Sequence, residues 1–180
     1  TTSNYNNASN LFVRSAYPNY TGGLRNDLFY KNFSFSVLAN FVVGQWINFT
    51  QRSSIDDDGT VLSKNQMIPL KDWTRWRQPG DIATLPRLVF GGNLNSSQPS
   101  SRYVEDGSYL RIQNVTFGYN LPKVFAGMGL YVRVDNLAVF TKYSGADPDV
   151  NMESPVAAQT QFGENFGATR KIIFGVNLNL

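Results

Sequence analysis

The sequence contains no cysteine and no histidine. Without thiols there is no disulfide frame, although an oxidising compartment stays open to it. Without imidazole, histidine-based catalysis and the usual zinc sites cannot be built from this chain. No apolar run approaches the ~18 residues of a membrane-crossing helix. Charge is sparse too: 16% of the 180 residues are charged, for a net of +3. The basic residues form no continuous stripe, so nucleic acid is a weak candidate partner despite the WTRWR stretch. The chain opens TTSNYNNASN, with neither a methionine nor a signal peptide, which suggests a piece of something longer.

What the sequence does contain is alternation. In SRYVEDGSYLRIQNVTFGYNLP, Ser101 to Pro122, the apolar residues Val115, Phe117, Tyr119 and Leu121 alternate with Asn114, Thr116, Gly118 and Asn120. That is the period of a strand with one greasy and one wet face. Leu110 and Ile112 are apolar in the opposite phase, so one continuous strand needs an extra residue, a β-bulge, near Gln113 and Asn114. Two structures show this pattern: a half-buried strand of a soluble sandwich, and a strand of a membrane barrel with lipid on one side and a wet lumen on the other.

The rest of the chain repeats the theme. Thr1 to Thr21 is polar, apart from an apolar patch at Leu11 to Val13, and is expected to be loop. Gly22 and Gly23 lead into LRNDLFYKNFSFSVLANFVVGQWINF. There Phe33, Phe35, Val37, Ala39, Phe41 and Val43 share a face, and a strand is expected from Phe33 to Asn48. A two-residue turn at Lys31 and Asn32 would set Tyr30 opposite Phe33 and Leu28 opposite Phe35. Thr50 to Ser100 carries four prolines and an aromatic and basic knot, and is expected to be a long ordered loop. Lys123 to Gly129 turns the chain into a strand from Leu130 to Tyr143, in which Leu130, Val132 and Val134 oppose Tyr131, Arg133 and Asp135. Ser144 to Thr169 is a second long polar loop. Ile172, Phe174, Val176, Leu178 and Leu180 alternate to the end of the chain.

The links between these five or so strands run short, long, short, long. Outer-membrane barrels show that asymmetry, with tight turns at one end and long external loops at the other, whereas a sandwich has no reason to do so. The smallest such barrels have about 8 strands, and an open greasy sheet in lipid would leave its edges unsatisfied. The expected fold is therefore all-β: part of a larger antiparallel transmembrane barrel, with 50–100 and 144–169 as long extracellular loops. Lipid would meet Phe33, Phe35, Val37, Phe41, Val115, Phe117, Tyr119, Ile172, Phe174, Val176 and Leu178.

In this order, the blocks YPNYTGGLRNDLFYKNFSFSV, WTRWRQPGDIATLPRL, SRYVEDGSYLRIQNVTFGYNLP, LYVRVDNLAVFTKYSGADPDV and KIIFGVNLNL resemble the C-terminal end of SusC/RagA-type TonB-dependent outer-membrane transporters of Bacteroidetes. The resemblance implies a 22-stranded barrel with an N-terminal plug, this chain supplying the last five strands. It also implies a SusD-like surface lipoprotein as lid, energy from the TonB complex acting through the missing N-terminal part, and oligosaccharide or peptide as cargo. Plug, TonB box and signal peptide have no counterpart in the chain, so it would not transport by itself. Leu180 stands where many outer-membrane proteins end in an aromatic residue.

Each candidate site has a plainer rival. Trp73, Arg75, Trp76 and Arg77 have the chemistry to stack a sugar or hold a peptide, but packing of the loop or contact with the lipoprotein is favoured. Tyr143, Asp147 and Asp149 offer charge to a basic partner surface, with turn formation around Pro148 the favoured reading. Asp56, Asp57 and Asp58, before Gly59, offer oxygens to calcium but lack the spaced ligands and distal glutamate of an EF-hand, so no metal is assigned and a solvated turn is expected. Glu105 and Asp106 are adjacent in a strand and point to opposite faces, which argues against a catalytic carboxylate pair. No enzyme activity and no cofactor are expected. The Asn-x-Ser/Thr matches at Asn32, Asn48 and Asn114 are read as chance. Two alternatives stay open: a soluble β-sandwich carbohydrate-binding module with Trp73 and Trp76 as its sugar platform, and a siderophore or cobalamin receptor that shares the barrel but not the lid.

Overall fold

The alternating segments fold as strands in a computed structural model, which describes residues 5–9, 14–61, 63–66, 71–92, 95–122, 127–149 and 167–178. In chain order the elements are β1 (Tyr20–Tyr30), β2 (Phe33–Val43), a short β3 (Trp46–Asn48), a single helical turn α1 (Arg52–Ile55), a short β4 (Val104–Asp106), β5 (Tyr109–Leu121), β6 (Met128–Thr141) and β7 (Lys171–Leu178). Brief 3₁₀ turns occur at Tyr5–Asn7 and Ser101–Tyr103. The chain divides into two compact units, one a sheet, the other built mostly from Ile47–Glu105.

The sheet has the order β1-β2-β5-β6-β7, with every neighbouring pair antiparallel. Its register sorts the side chains into two faces. Tyr30, Phe33, Tyr119, Leu130 and Val176 lie in one row across the sheet, and Leu28, Phe35, Phe117, Val132 and Phe174 in the next. Asn26, Val37, Val115, Val134 and Ile172 form a third row; Leu24, Ala39, Ile112 and Ala138 a fourth; Gly22, Phe41, Leu110 and Phe140 a fifth. The opposite face carries Arg25, Asp27, Ser34, Ser36, Asn114, Thr116, Gly118, Arg133, Asp135 and Asn177, with Phe29, Leu38, Tyr131, Val139 and Ile173 among them. The expected pairs Tyr30 with Phe33 and Leu28 with Phe35 form, around a turn in which Lys31 takes a left-handed φ of 54°.

The rows stay in phase because β5 is irregular where the sequence demands it. Val37 pairs with Val115 but Ala39 with Ile112, so the register of β5 shifts across Gln113. On its other side Ile112 pairs with Ala138 and Asn114 with Asp135. Asn136, in the matching irregularity of β6, has φ 51°.

The strand expected from Leu130 to Tyr143 runs instead from Met128 to Thr141, and two other boundaries differ for identifiable reasons. The strand from Phe33 stops at Val43 rather than Asn48: Gly44 takes φ 81°, and β3 pairs with β4 in a separate two-stranded sheet. β1 starts at Tyr20, so Gly22 and Gly23 belong to it. A Cβ on Gly22 would lie 2.7 Å from the Phe41 ring, and glycine leaves that space to the aromatic across the pair. Residues 10–13, 123–126, 150–166 and 179–180 lie outside the described residues, and with them most of the turn at Lys123 to Gly129, the body of the second long loop, the Leu11 to Val13 patch and the end of the last strand.

The register puts both long connections at one end of the sheet, since Tyr109 pairs with both Val42 and Thr141 there, and both short ones at the other. Large side chains of the apolar face are exposed. Phe35, Phe117 and Phe174, which a sandwich would pack into a dry interior, are 37%, 49% and 76% exposed. No helix among the described residues is long and apolar enough to cross a membrane, which says nothing of crossing by strands.

Candidate functional site

Charged and aromatic side chains gather in two places, one in each unit. In the loop unit, α1 is one turn long and too short to persist unaided. Arg52 fastens it. This buried guanidinium donates through Nε to Asp56 Oδ2 at 2.7 Å and through Nη1 to Glu105 Oε1 at 2.6 Å, and it lies 4.1 Å from the centre of the Trp73 ring. From the other side Arg102 donates to Asp56 Oδ1 at 2.6 Å and to the Asp56 carbonyl at 2.8 Å, and its guanidinium lies over the Tyr103 ring. Burial pushes the Asp56 carboxyl up from its ordinary range, against the pull of Arg52, Arg102 and Arg75. Burial likewise raises the Tyr103 hydroxyl above its ordinary value of 10.0.

Asp57 and Asp58 are as deeply buried as Asp56, at 1%, 0% and 1% exposure respectively, so the expected solvated turn is corrected to a packed acidic hub. Its carboxylates are satisfied internally, as buried charge requires. Asp57 accepts the N–H groups of Gly59 and Val61; Asp58 accepts the hydroxyls of Thr60, Ser96 and Ser97. Gly59 is the hinge of the turn, with φ 100°, and a Cβ there would meet the Val89 carbonyl oxygen at 2.1 Å. Among the described residues no three His, Cys, Asp or Glu side chains are grouped to hold a metal.

Arg75 donates to the carbonyls of Asp57 and Pro86, and the Trp76 N–H donates to the Leu85 carbonyl at 3.0 Å. Trp73, Arg75 and Trp76 are half-buried and Arg77 is exposed. With Ile47, Phe49, Leu85 and Tyr103 buried, this unit has an apolar core of its own. Outward it presents Ile82, Leu88 and Phe90, all exposed.

The second gathering is at the long-connection end of the sheet. Arg111, on the wet face of β5, is buried against Asp147, with Asp149 at 3.7 Å. Asp147 also accepts the N–H groups of Asp149 and Ala168, and Gln45 donates to the Pro148 carbonyl at 3.2 Å. Tyr143, just past the end of β6, is buried. Farther down the same face, exposed ion pairs join Arg25 to Asp27 at 2.8 Å and Arg133 to Asp135 at 2.6 Å.

This arrangement has known counterparts. TonB-dependent receptor P3 of Formosa agariphila is 33% identical over 173 residues, which cover 89% of the chain and 16% of that receptor. Receptor P26 of the same organism is 28% identical over 146 residues, 77% of the chain and 14% of the receptor. Structures of the RagAB peptide importer superpose with a TM-score of 0.72 in the closed-closed state, covering 92% of the chain and 18% of the solved chain at 23% identity. In the open-open state the score is 0.68, covering 91% and 17% at 22% identity. The chain belongs to the TonB-dependent receptors. It spans about a sixth of the length of the curated relatives it matches. No protein-family model matches it.

For a TonB-dependent receptor segment, the placement of the expected site residues is informative. Trp73 lies against Arg52, Arg75 donates to the Asp57 and Pro86 carbonyls and the Trp76 backbone bonds to Leu85, so each is tied into the loop unit, while Arg77 is exposed. Tyr143, Asp147 and Asp149 all lie in the other unit, where Asp147 is taken up by Arg111 rather than held out and Tyr143 is buried. Arg52, Arg102 and Arg111 were not foreseen. The Arg52 to Asp56 spacing of four is a helical ion-pair signal that sequence alone carries. Arg102 and Arg111 find partners 46 and 36 residues away, which no local pattern announces.

Proposed function

We propose that this segment forms part of the wall and outer mouth of an outer-membrane, TonB-driven importer of oligosaccharides or peptides. The observation that carries the reading is the exposed apolar face of an antiparallel sheet whose other face is mostly polar. Successive rows are two residues apart, about 6.8 Å along a strand. Five rows, tilted by about 40°, rise roughly 21 Å, and a further row at each end brings the total to roughly 31 Å. These bracket the ~25 Å apolar band of outer-membrane barrels. Phe33, Phe35, Val37, Phe41, Val115, Phe117, Tyr119, Ile172, Phe174, Val176 and Leu178 then meet lipid, while Ser36, Thr116 and Arg133 line the lumen.

On this reading the sheet is completed to a 22-stranded barrel by the rest of the receptor, and TonB acts through a plug outside this chain. The 50–100 loop faces outward. Its exposed Ile82, Leu88 and Phe90, with Trp76 and Arg77 of the knot, meet a SusD-like surface lipoprotein, and the arginine network beneath keeps that surface in shape. The full-length receptor is expected to partition with outer membranes, to need detergent for release, and to bring down a surface lipoprotein that Phe90→Asp weakens. Release by salt or carbonate without detergent would refute the reading.

A further inference from the structure

We propose that the upper end of the apolar face is a seat for a phosphorylated lipid of the outer leaflet, with Lys142 holding the phosphoryl group. The inference rests on the membrane reading above and adds to it a defined lipid. Phe41 on β2 and Phe140 on β6 stand in the same row, two strands apart and so about 10 Å from each other. Leu110 of β5 stands between them in that row. The two rings and the leucine make an open slot about as wide as a hydrocarbon chain, part of a cavity of about 560 Å³. Its upper rim is polar: Asp106, Ser108, Thr141 and Lys142 line it.

The rim is held in place by its own bonds. Asp106 Oδ1 accepts from the Ser108 N–H at 2.9 Å and from its hydroxyl at 2.6 Å. Ser108 Oγ accepts the Gly44 N–H at 2.9 Å, and the Thr141 hydroxyl donates to the Ser108 carbonyl at 2.8 Å. Asp106 is thereby engaged, whereas Lys142 is exposed and makes no ion pair with any described residue. An ammonium with no ion-pair partner among the described residues, lining a greasy slot at the level where strands give way to loops, matches an amphiphile whose acyl chain lies in the slot and whose anionic headgroup sits at the interface.

The fold contains its own comparison. A second groove of about 440 Å³ lies lower on the same face, over Leu130 and Val132 between Phe117 and Phe174. No charged side chain lines it, so it has nothing with which to select a headgroup and takes any acyl chain that passes.

The test uses the full-length receptor in detergent micelles, with native mass spectrometry reading retained lipid. The probes are diphosphoryl lipid A, the same lipid with its phosphates removed, and inorganic phosphate alone. Wild-type receptor is expected to keep diphosphoryl lipid A about fivefold better than the phosphate-free form, the factor one lysine is worth at an anionic surface. Lys142→Gln should erase that preference, Leu110→Trp should expel both lipids by filling the slot, Leu130→Trp should change neither, and inorganic phosphate should not compete. Equal retention of the two lipids by wild type, or an undiminished preference in Lys142→Gln, overturns the proposal while leaving the membrane reading standing. A receptor that stays soluble without detergent and retains no lipid fails on the earlier reading instead.

Discussion

Placing an arginine at successive depths along β5 probes the lipid-facing assignment most quantitatively. Val115 sits in the third of five apolar rows, at the middle of the band, whereas Leu110 and Tyr119 sit in the outermost two. Thr116, one residue from Val115, points to the opposite face. In a membrane barrel a lipid-facing arginine costs about 2–4 kcal/mol at the midplane and about 0–1 kcal/mol near the interface. Val115→Arg should therefore lower the folded-to-unfolded ratio by a factor of about 30 or more, while Leu110→Arg and Tyr119→Arg stay within about tenfold and Thr116→Arg is near neutral. The assay is reversible urea unfolding of the full-length receptor in lipid vesicles, followed by tryptophan fluorescence. A penalty independent of depth, or Thr116→Arg costing as much as Val115→Arg, would refute the assignment of faces.

Other outcomes follow from the loop unit. Arg52→Met leaves Asp56 and Glu105 short of a buried partner and should destabilise this unit by about 3–5 kcal/mol, read as faster protease cleavage between 50 and 100 with the barrel intact. Gly59→Ala forces a side chain into a left-handed backbone and against the Val89 carbonyl, and should cost more than about 2 kcal/mol; wild-type protease resistance would contradict the hinge. Because the folded-state Tyr103 hydroxyl titrates above its ordinary value, its contribution is complete below pH 10.0 and is lost as pH rises through the raised value. Tryptophan fluorescence should report alkaline loosening of the loop unit that Tyr103→Phe removes; a transition unchanged in that variant would assign it to another group.

The sheet was legible in the sequence because each strand carries its own evidence. Period-two alternation names the faces, and the phase change between Ile112 and Val115 requires the bulge that the register shows. The end of β2 was not legible: Trp46 and Ile47 continue the apolar run past Val43, and only the left-handed Gly44 breaks it. The acidic run misled for a related reason. Three consecutive aspartates before a glycine have the composition of an exposed turn, and their burial depends on arginine, hydroxyl and backbone donors gathered from as far away as Arg102. Arg111 and Asp147 repeat the lesson. A buried ion pair is a property of the fold, and neither partner's surroundings in the sequence betray it.

The central claim, that alternate side chains face acyl tails and water, is open to one direct measurement. The segment has no cysteine, so single cysteines from Asn114 to Tyr119 in a receptor otherwise free of them can each carry a nitroxide in lipid vesicles. Labels at Val115, Phe117 and Tyr119 should relax with oxygen dissolved in the bilayer, and those at Asn114, Thr116 and Gly118 with a water-soluble nickel complex. Accessibility without a period of two, or with the two sets exchanged, would contradict the claim.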